Sequence, residues 1–426
     1  MNRGEVRRVA VVGGVRIPFC RSHTAYATMS NQDMLTATLS ALVEKYGLKG
    51  EKLGDVSAGA VIKHSRDWNL ARESTLGSGL APETPAFDLQ RACGTSLSAT
   101  IQIANKIALG QIDAGIAGGT DTVSDVPVVF PEGFREVMME SYRGRSMGEK
   151  LKPWLKLRPK YLKPVFPGVV EPRTGLSMGE SAELMAKEWV ISREAQDEYT
   201  LGSHIKAVAG YERGFYEDLV VPFAGVERDN NIRPDTNLEK LGKLKPVFDR
   251  EHGTLTAGNS TPLTDGAAAV LLASEKWARS RGLPILAYLV YGKVAAVDFV
   301  NKEGLLMAPT YAVSEMLADM NLNLDDFDVY EIHEAFAAQV LCTLKAWESE
   351  RFNRERLGRD VPLGAIDRDR MNLAGGSIAI GHPFAATGAR IVATLAKLLA
   401  EKGGGRGLIS VCTAGGMGVT AIMEAT

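Results

Sequence analysis

Three side chains in this sequence have the type and setting to make and break bonds: Cys93, His382 and Cys412. Cys93, in LQRACGTSLSATIQIA, falls between a strand-like run and a long helical pattern. Free N–H groups and the macrodipole at a helix start favour an anion, which predicts a thiol pKa below the usual value of about 8.5. Gly94 and the small residues behind it leave room for a substrate carbonyl. Taken alone, a cysteine near a helix start is more often a small buried hydrophobe, so its neighbours must decide. His382, in NLAGGSIAIGHPFAATGAR, follows a short apolar run, SIAI, read as a strand. Pro383 fits the first position of a following helix, and Gly381 permits an unusual backbone. A lone histidine is usually structural, but a bulky ring among glycines is needed there only for its chemistry. Cys412, in GLISVCTAGGMG, ends a buried-strand pattern just before glycines suited to close approach, a place where inert core cysteines also occur.

His333 and Glu334 lie in VYEIHEAFAAQ, where a strand meets a helix. The string begins like the zinc motif H-E-x-x-H, but Ala337 stands where the second histidine is required. The plainer reading gives Glu334 a purely electrostatic role at the helix start. No P-loop occurs, and GGVRIPF after the first strand lacks the dinucleotide-binding spacing. Kinase-like and nucleotide-dehydrogenase readings therefore have no local support.

These residues need a scaffold that brings distant segments together. The N-terminal third alternates strands (VRRVAVVGG, VSAGAVI, DAGIAGGTDT) with helices (QDMLTATLSALVEKYG, SLSATIQIANKIALG), which argues for a parallel, helix-covered sheet. From about Val126 to Arg250 charge and proline rise and periodicity falls. MMESYRGRSMGEKLKPWLKLRPKYLKPVFPG is basic, with Trp154, Tyr161 and Phe166 interleaved; the reading is a solvated loop region, with subunit docking or membrane contact as the sharper alternative. MGESAELMAKEWV and REAQDEYTLGSHIKAVAGYERG then read as helices. In the C-terminal part, GHPFAATGARIVATLAKLLAEKG with GLISVCTAGGMG parallels RACGTSLSATIQIANKIALG with DAGIAGGTDT, a pattern of duplication.

Composition agrees with an α/β enzyme. The chain has 426 residues, 45% hydrophobic and 23% charged, with net charge −2, so neither disorder nor nucleic-acid binding is indicated. At about 150 residues per domain it should hold about three domain-sized units. No apolar run approaches the roughly 20 residues that span a bilayer, and MNRGEVRRVAVVGG reads as a first strand rather than a signal peptide. Cys20, Cys93, Cys342 and Cys412 form no C-x-x-C pair, which excludes a zinc ribbon or disulfide framework and points to a reducing cytoplasm.

Together these segments resemble the thiolase family over nearly the whole chain. RACGTS is similar to its nucleophile segment, HEAF to its substrate-positioning segment and GGSIAIGHP-x-x-x-TG to its histidine segment. CTAGGMG is similar to its second-cysteine segment, and TAGNSTPLTDGAAA to its loop over coenzyme A. Any one string is weak; five in the family's order are specific. HEAF and GGTDTVSDVP resemble the β subunit of the fatty-acid oxidation trifunctional complex and its bacterial anaerobic-type relatives. The resemblance implies a thiolase fold: two duplicated α/β halves in a five-layer αβαβα core (1–125 with 251–280, and 281–426) and an inserted loop domain, 126–250.

The resemblance also implies a reaction. Cys93, deprotonated by His382, would attack a 3-ketoacyl-CoA and hold the acyl group, while Cys412 moves the other proton. A water positioned by His333, with His382, would serve the enolate; the N–H groups of Cys93 and Ala414 would serve the tetrahedral intermediate. Ser177, Met178, Ala257, Thr261 and Phe336 match positions lining the pantetheine tunnel. Coenzyme A enters as co-substrate, with no metal and no tightly bound cofactor. A homodimer or tetramer, a hydratase/dehydrogenase α-subunit partner and membrane contact through residues 143–166 are further implications.

Three departures stand out: His333 replaces Asn, Ala385 replaces a Gly and predicts a narrower pocket, and Ala414 replaces a Gly while keeping its N–H. The leading reading is a degradative 3-ketoacyl-CoA thiolase of β-oxidation. The alternatives are an acetoacetyl-CoA or biosynthetic thiolase running the condensation, and a non-catalytic, lipid-binding relative, which would usually have lost a reactive residue.

Overall fold

A computed structural model describes residues 6–301 and 303–426; the reading of the first five residues as part of a strand rather than a leader lies outside them. The strands are β1 (Val9–Arg16), β2 (Cys20–Arg21), β3 (Asp55–Ala58), β4 (Ala86–Asp88), β5 (Ala114–Asp121), β6 (Thr264–Ser274), β7 (Ala287–Ala296), β8 (Val329–Ile332), β9 (Gly405–Thr413) and β10 (Met417–Ala425). They run in the order β4-β3-β5-β6-β1-β7-β10-β9-β8, with β2 paired to β6. The helices that build the layers and the site are α1 (Asn31–Lys45), α2 (Leu70–Gly77), α3 (Thr95–Ala108), α4 (Glu132–Arg143), α5 (Met178–Glu188), α6 (Arg193–Glu212), α7 (Ala308–Met320), α8 (Ala337–Glu348), α9 (Ser377–Ile380) and α10 (Thr387–Lys402).

The expected parallel sheet is mixed. Among the described strands only β3–β4, β3–β5 and β8–β9 run parallel. β6 returns antiparallel between β5 and β1 after the long excursion, and β9 and β10 form a hairpin through the tight turn after Thr413. Short strands with helices between them cannot reveal this, because direction is set by long connections that carry no periodic signal.

Alternating side chains divide the core into layers. Along β1, Ala10 and Val12 pack with Leu35, Leu39 and Leu42 of α1 and with Leu70 of α2. Val9 and Val11 face the opposite way, onto Leu97 and Ile103 of α3 and Ile391 and Leu395 of α10. The same central layer receives Ile409 and Val411 of β9, whereas Leu408 points outward to Val313 and Leu317 of α7 and Val340 and Leu344 of α8. Helix, sheet, helix, sheet and helix thus succeed one another, as the αβαβα expectation requires. The two sheet regions join edge to edge where Val9–Val11 pair with Ala287–Leu289.

At the centre α3 meets α10 through small residues. A Cβ on Gly388 would come within 2.3 Å of the Leu97 nitrogen, and the Ala389 N–H donates to Ser96 Oγ at 2.8 Å. This close contact brings the starts of both helices, and so Cys93 and His382, to one place. Between β5 and β6 the chain leaves the sheet. Its α4 buries only Val137, while α5 packs Ala182, Met185 and Ala186 onto Leu341 and Cys342 of α8.

Candidate active site

Cys93 precedes Gly94, the N-cap of α3, and follows Ala92, whose φ of 43° turns the chain sharply. Gly94 is required by packing: a Cβ there would meet Val419 Cγ2 at 2.7 Å and Thr413 Cγ2 at 2.9 Å. Cys93 lines a cavity of about 310 Å³ together with Ile62, Pro167, Val169, Met178, Phe384 and Ala414. The expected drop in thiol pKa is reversed by the surroundings of Cys93. Burial pushes it up to about 12, against the N–H groups of Ala414 and of Cys93 itself, which favour the thiolate. Desolvation outweighs the helix start because mostly apolar walls surround the thiol, which lies one residue before the N-cap.

His382 is held from three sides. Its N–H donates to Thr264 Oγ1 at 2.6 Å, its Nδ1 lies 2.6 Å from Thr387 Oγ1, and Phe384 packs edge-on against the ring. Gly381, at φ 114°, turns the chain into this position, as its type predicted. Two local expectations fail. SIAI is a single helical turn, α9, because Glu334 accepts the Ile378 N–H and Ser203 Oγ accepts that of Gly376. Pro383 precedes a 3₁₀ turn, Phe384–Ala386, and α10 begins only at Thr387. A four-residue apolar run is too short to show a period.

His333 directly follows β8, with its N–H on the Ser410 carbonyl at 2.8 Å and its Nδ1 3.0 Å from Ser377 Oγ. Its ring lies against that of His382, with centroids 4.2 Å apart. Both Nε2 atoms are buried without a partner among the described residues. A ring nitrogen of each histidine and Cys93 Sγ lie within 4.8 Å of one another, a span that one bridging water closes for proton transfer and that a thiophilic cation could share. Burial and, secondarily, Arg390 hold the His382 pKa down to about 3. Burial, with His382, keeps that of His333 well below the imidazole value. Both rings are therefore neutral at pH 7.

Cys412, at the end of β9, is fully buried behind this group. Burial, then the proximity of Cys93, raises its thiol pKa well above normal, while the N–H of Ala335 favours its thiolate. Ala414 lies two residues on, and Gly415 donates to Glu171 Oε1 at 2.6 Å, fixing the turn that presents the Ala414 N–H. Cys20 is buried in a separate cluster, whereas Cys342 of α8 shares the apolar cluster that holds Cys412.

The other expected residues scatter. Met178 reaches the Cys93 cavity, but Ser177 is committed to capping α5, its hydroxyl accepting the Glu180 N–H. Phe336 packs on Phe248 in the cluster that holds Cys412. Thr261 ties the neighbouring loop to the Ala335 carbonyl at 3.0 Å. Ala257 lies elsewhere, in a cleft of about 300 Å³ lined by Arg21, Arg233 and Lys240. Ala385 does not narrow the cavity: Phe384 lines it, and the Ala385 methyl packs toward Gly119.

Glu334 does not serve the start of α8. Its carboxylate accepts from Tyr199 Oη, Ser203 Oγ, Asn372 Nδ2 and the Ile378 N–H at 2.7–3.1 Å, joining α6 to α9. Sequence reasoning missed Asp121, which accepts the N–H groups of Val61, Ile62 and Ala385 and so ties a cavity wall to the His382 segment. It missed Thr264 and Thr387 as well.

Residues 9–276 match the family model described as the thiolase N-terminal domain, and residues 283–425 match the thiolase C-terminal domain. A 3-ketoacyl-CoA thiolase of Yersinia pestis (strain Pestoides F) is 41% identical over 98% of this chain and 97% of its own. The crystal structure of the Bacillus anthracis acetyl-CoA acetyltransferase superimposes with a TM-score of 0.82 at 28% identity, over 99% of this chain and all of that one. Human mitochondrial 3-ketoacyl-CoA thiolase gives 0.80 at 29% identity, with the same coverage.

Proposed function

Because this chain belongs to the thiolase family, we propose that it cleaves 3-ketoacyl-CoA with coenzyme A to acetyl-CoA and a shortened acyl-CoA. The observation that carries this reading is the convergence of Cys93, His333 and His382, with donor atoms within 4.8 Å, in front of Cys412. The name of the Yersinia relative supports the degradative direction.

His382 Nε2 takes the Cys93 proton as the sulfur adds to the 3-keto carbon. Thiol and imidazole are both neutral at rest, so proton transfer and attack proceed together. The N–H groups of Cys93 and Ala414 receive the resulting oxyanion. The C2–C3 bond then breaks, its electron pair entering the enolate of acetyl-CoA, whose oxygen faces the two histidines. Cys412 delivers its proton to C2, which completes acetyl-CoA and leaves the acyl group on Cys93. Coenzyme A thiol next gives its proton to the Cys412 thiolate and displaces Cys93 from the acyl group, and the departing Cys93 sulfur takes its proton back from His382. No metal or resident cofactor takes part.

Ser177, Met178, Ala257, Thr261 and Phe336 are proposed to flank the pantetheine arm, with the basic cleft at Ala257 receiving the phosphates. The domain division (1–125 with 251–280, 126–250, and 281–426), homodimeric or tetrameric assembly, a hydratase/dehydrogenase partner and a cytoplasmic location complete the proposal. The unpaired state of all four cysteines supports a reducing compartment. No helix of the described residues is long and apolar enough to cross a membrane.

The deciding experiment is thiolysis kinetics over 3-ketoacyl-CoA substrates from four carbons upward. Turnover of the longer chains supports the degradative reading. Activity confined to acetoacetyl-CoA favours the reading suggested by the Bacillus anthracis structure. No cleavage of any substrate would overturn both.

A further inference from the structure

Ser377 opens α9, and its hydroxyl oxygen meets two buried partners. Arg390 of α10 donates to it through Nη2 at 2.9 Å, and His333 Nδ1 lies 3.0 Å away. A guanidinium has donors only, so the oxygen accepts from Arg390 and the hydroxyl hydrogen remains for the histidine. No third partner competes for that hydrogen among the described residues. A hydroxyl that donates to Nδ1 makes that nitrogen an acceptor, which puts the ring hydrogen on Nε2. The opposite tautomer would have Ser377 accept twice and strand a buried hydroxyl hydrogen. Arg390 is itself buried, 2% exposed, and its Nη1 lies 3.7 Å from the buried Glu331 carboxylate, within ion-pair but not hydrogen-bond distance.

We infer that Ser377, held by Arg390, is a positioning residue that fixes His333 as its Nε2–H tautomer and so gives the reaction a fixed neutral donor. His333 Nε2 is buried without a protein partner, and the ring lies against His382 beside Cys93. A hydrogen there meets the oxygen that gains charge as the carbon–carbon bond breaks; a lone pair there would repel it. A neutral imidazole beside a cationic guanidinium is also kept from taking a second proton, so the donor does not become an acid. The inference rests on the proposed reaction and adds to it the residue that sets the state of its donor.

Two readouts test it. In protein labelled with ¹⁵N-histidine, long-range ¹H–¹⁵N correlation should show His333 carrying its hydrogen on Nε2 alone, the signal being assigned by its loss in His333→Gln. Ser377→Ala should allow the Nδ1–H form and lower kcat about tenfold or more, since loss of one oriented donor typically costs 10²–10³. KM for the 3-ketoacyl-CoA and the rate of Cys93 alkylation should stay near wild type. An Nδ1–H signal in the wild type overturns the inference. So does unchanged kcat in Ser377→Ala, or a fall in kcat matched by lost stability and slower alkylation, which would mark a packing role. If the wild type cleaves no 3-ketoacyl-CoA, the reaction is wrong, and the tautomer signal still reports separately on the hydrogen-bond chain.

Discussion

His333 and His382 lie ring against ring, 4.2 Å between centroids, each tied at Nδ1 to a hydroxyl and each with an unpartnered Nε2. Neither ring carries charge at neutral pH, since burial lowers both pKa values. Cys93 therefore has no imidazolium to stabilise a resting thiolate, and its thiol is pushed up to about 12. Alkylation of Cys93 by iodoacetamide should accelerate with pH, about tenfold per unit from pH 6 to 9, as the thiolate fraction grows. Acetyl-CoA should protect it by acylation. The three other cysteines are buried and should label slowly. A rate plateau below pH 7 would reveal a preformed ion pair and refute this account.

The second thiol can be separated from the first. Cys412→Ala should lower thiolysis roughly 10²–10⁴-fold, the range for a lost general acid–base. Cys93 alkylation should persist, because Cys412 lies behind the reacting group and supplies none of its donors. Exchange of deuterium from solvent into the methyl group of acetyl-CoA, which needs a proton mover at C2, should vanish. Retained exchange would assign that proton to another residue.

Asp121 should matter to both stability and the site. Its carboxyl, pushed up to about 7 by burial despite three N–H donors, compares with about 3.9 in an unfolded chain. A raised folded-state pKa means that this contribution to stability is complete below about pH 4 and disappears as pH rises through 7. Asp121→Asn should flatten that part of the stability–pH curve, measured by urea unfolding. Asp121→Ala leaves the Val61, Ile62 and Ala385 N–H groups unpaired and should cost roughly 3 kcal/mol, with activity falling as the cavity wall loosens.

Asp121 also shows where sequence reading stops. Cys93, His333, His382 and Cys412 stand out because each lies at a junction where small residues or a broken period leave a reactive side chain without a packing purpose. The residues that orient them carry no such mark. Asp121 meets Ala385 across 264 positions and Ser377 meets His333 across 44, so nothing in either local string announces the partner. Glu334 was legible as a residue but not in its use, since its four donors come from α6, α9 and Asn372. The layers followed from alternation in strands such as Val9–Val12; strand direction, fixed by the excursion between β5 and β6, did not.

The cleft at Ala257 makes a prediction about affinity alone. Arg233 lines it at a distance from the reacting sulfur, which occupies a separate cavity. If the cleft receives the phosphates of coenzyme A, Arg233→Ala should raise KM for coenzyme A about tenfold, the scale of a charge-assisted hydrogen bond, with kcat nearly unchanged. Steady-state kinetics with coenzyme A as the varied substrate decide it. An effect on kcat alone would place Arg233 in a different role.

The inserted segment offers a surface unlike the rest of the molecule. Residues 143–166 contain eight Lys or Arg and one acid, Glu149, a net charge of 8 − 1 = +7. Interleaved with them, Met147, Leu155 and Phe166 are 70%, 88% and 64% exposed, and Tyr142 of α4 is 83% exposed. Apolar tips among lysines suit an anionic lipid surface, where each basic residue contributes about 1 kcal/mol at low salt. Beyond Phe166 the chain runs into Pro167 and Val169 on the wall of the Cys93 cavity, which sets this face beside the acyl-binding pocket. Cosedimentation with phosphatidylserine vesicles should be strong at 50 mM salt and lost at 500 mM. Lys152→Glu, Lys156→Glu and Lys160→Glu combined should abolish it while leaving thiolysis of soluble short-chain substrates intact. Absence of salt-sensitive binding would reject the membrane reading and leave the surface to a protein partner, which copurification with a hydratase/dehydrogenase subunit would reveal.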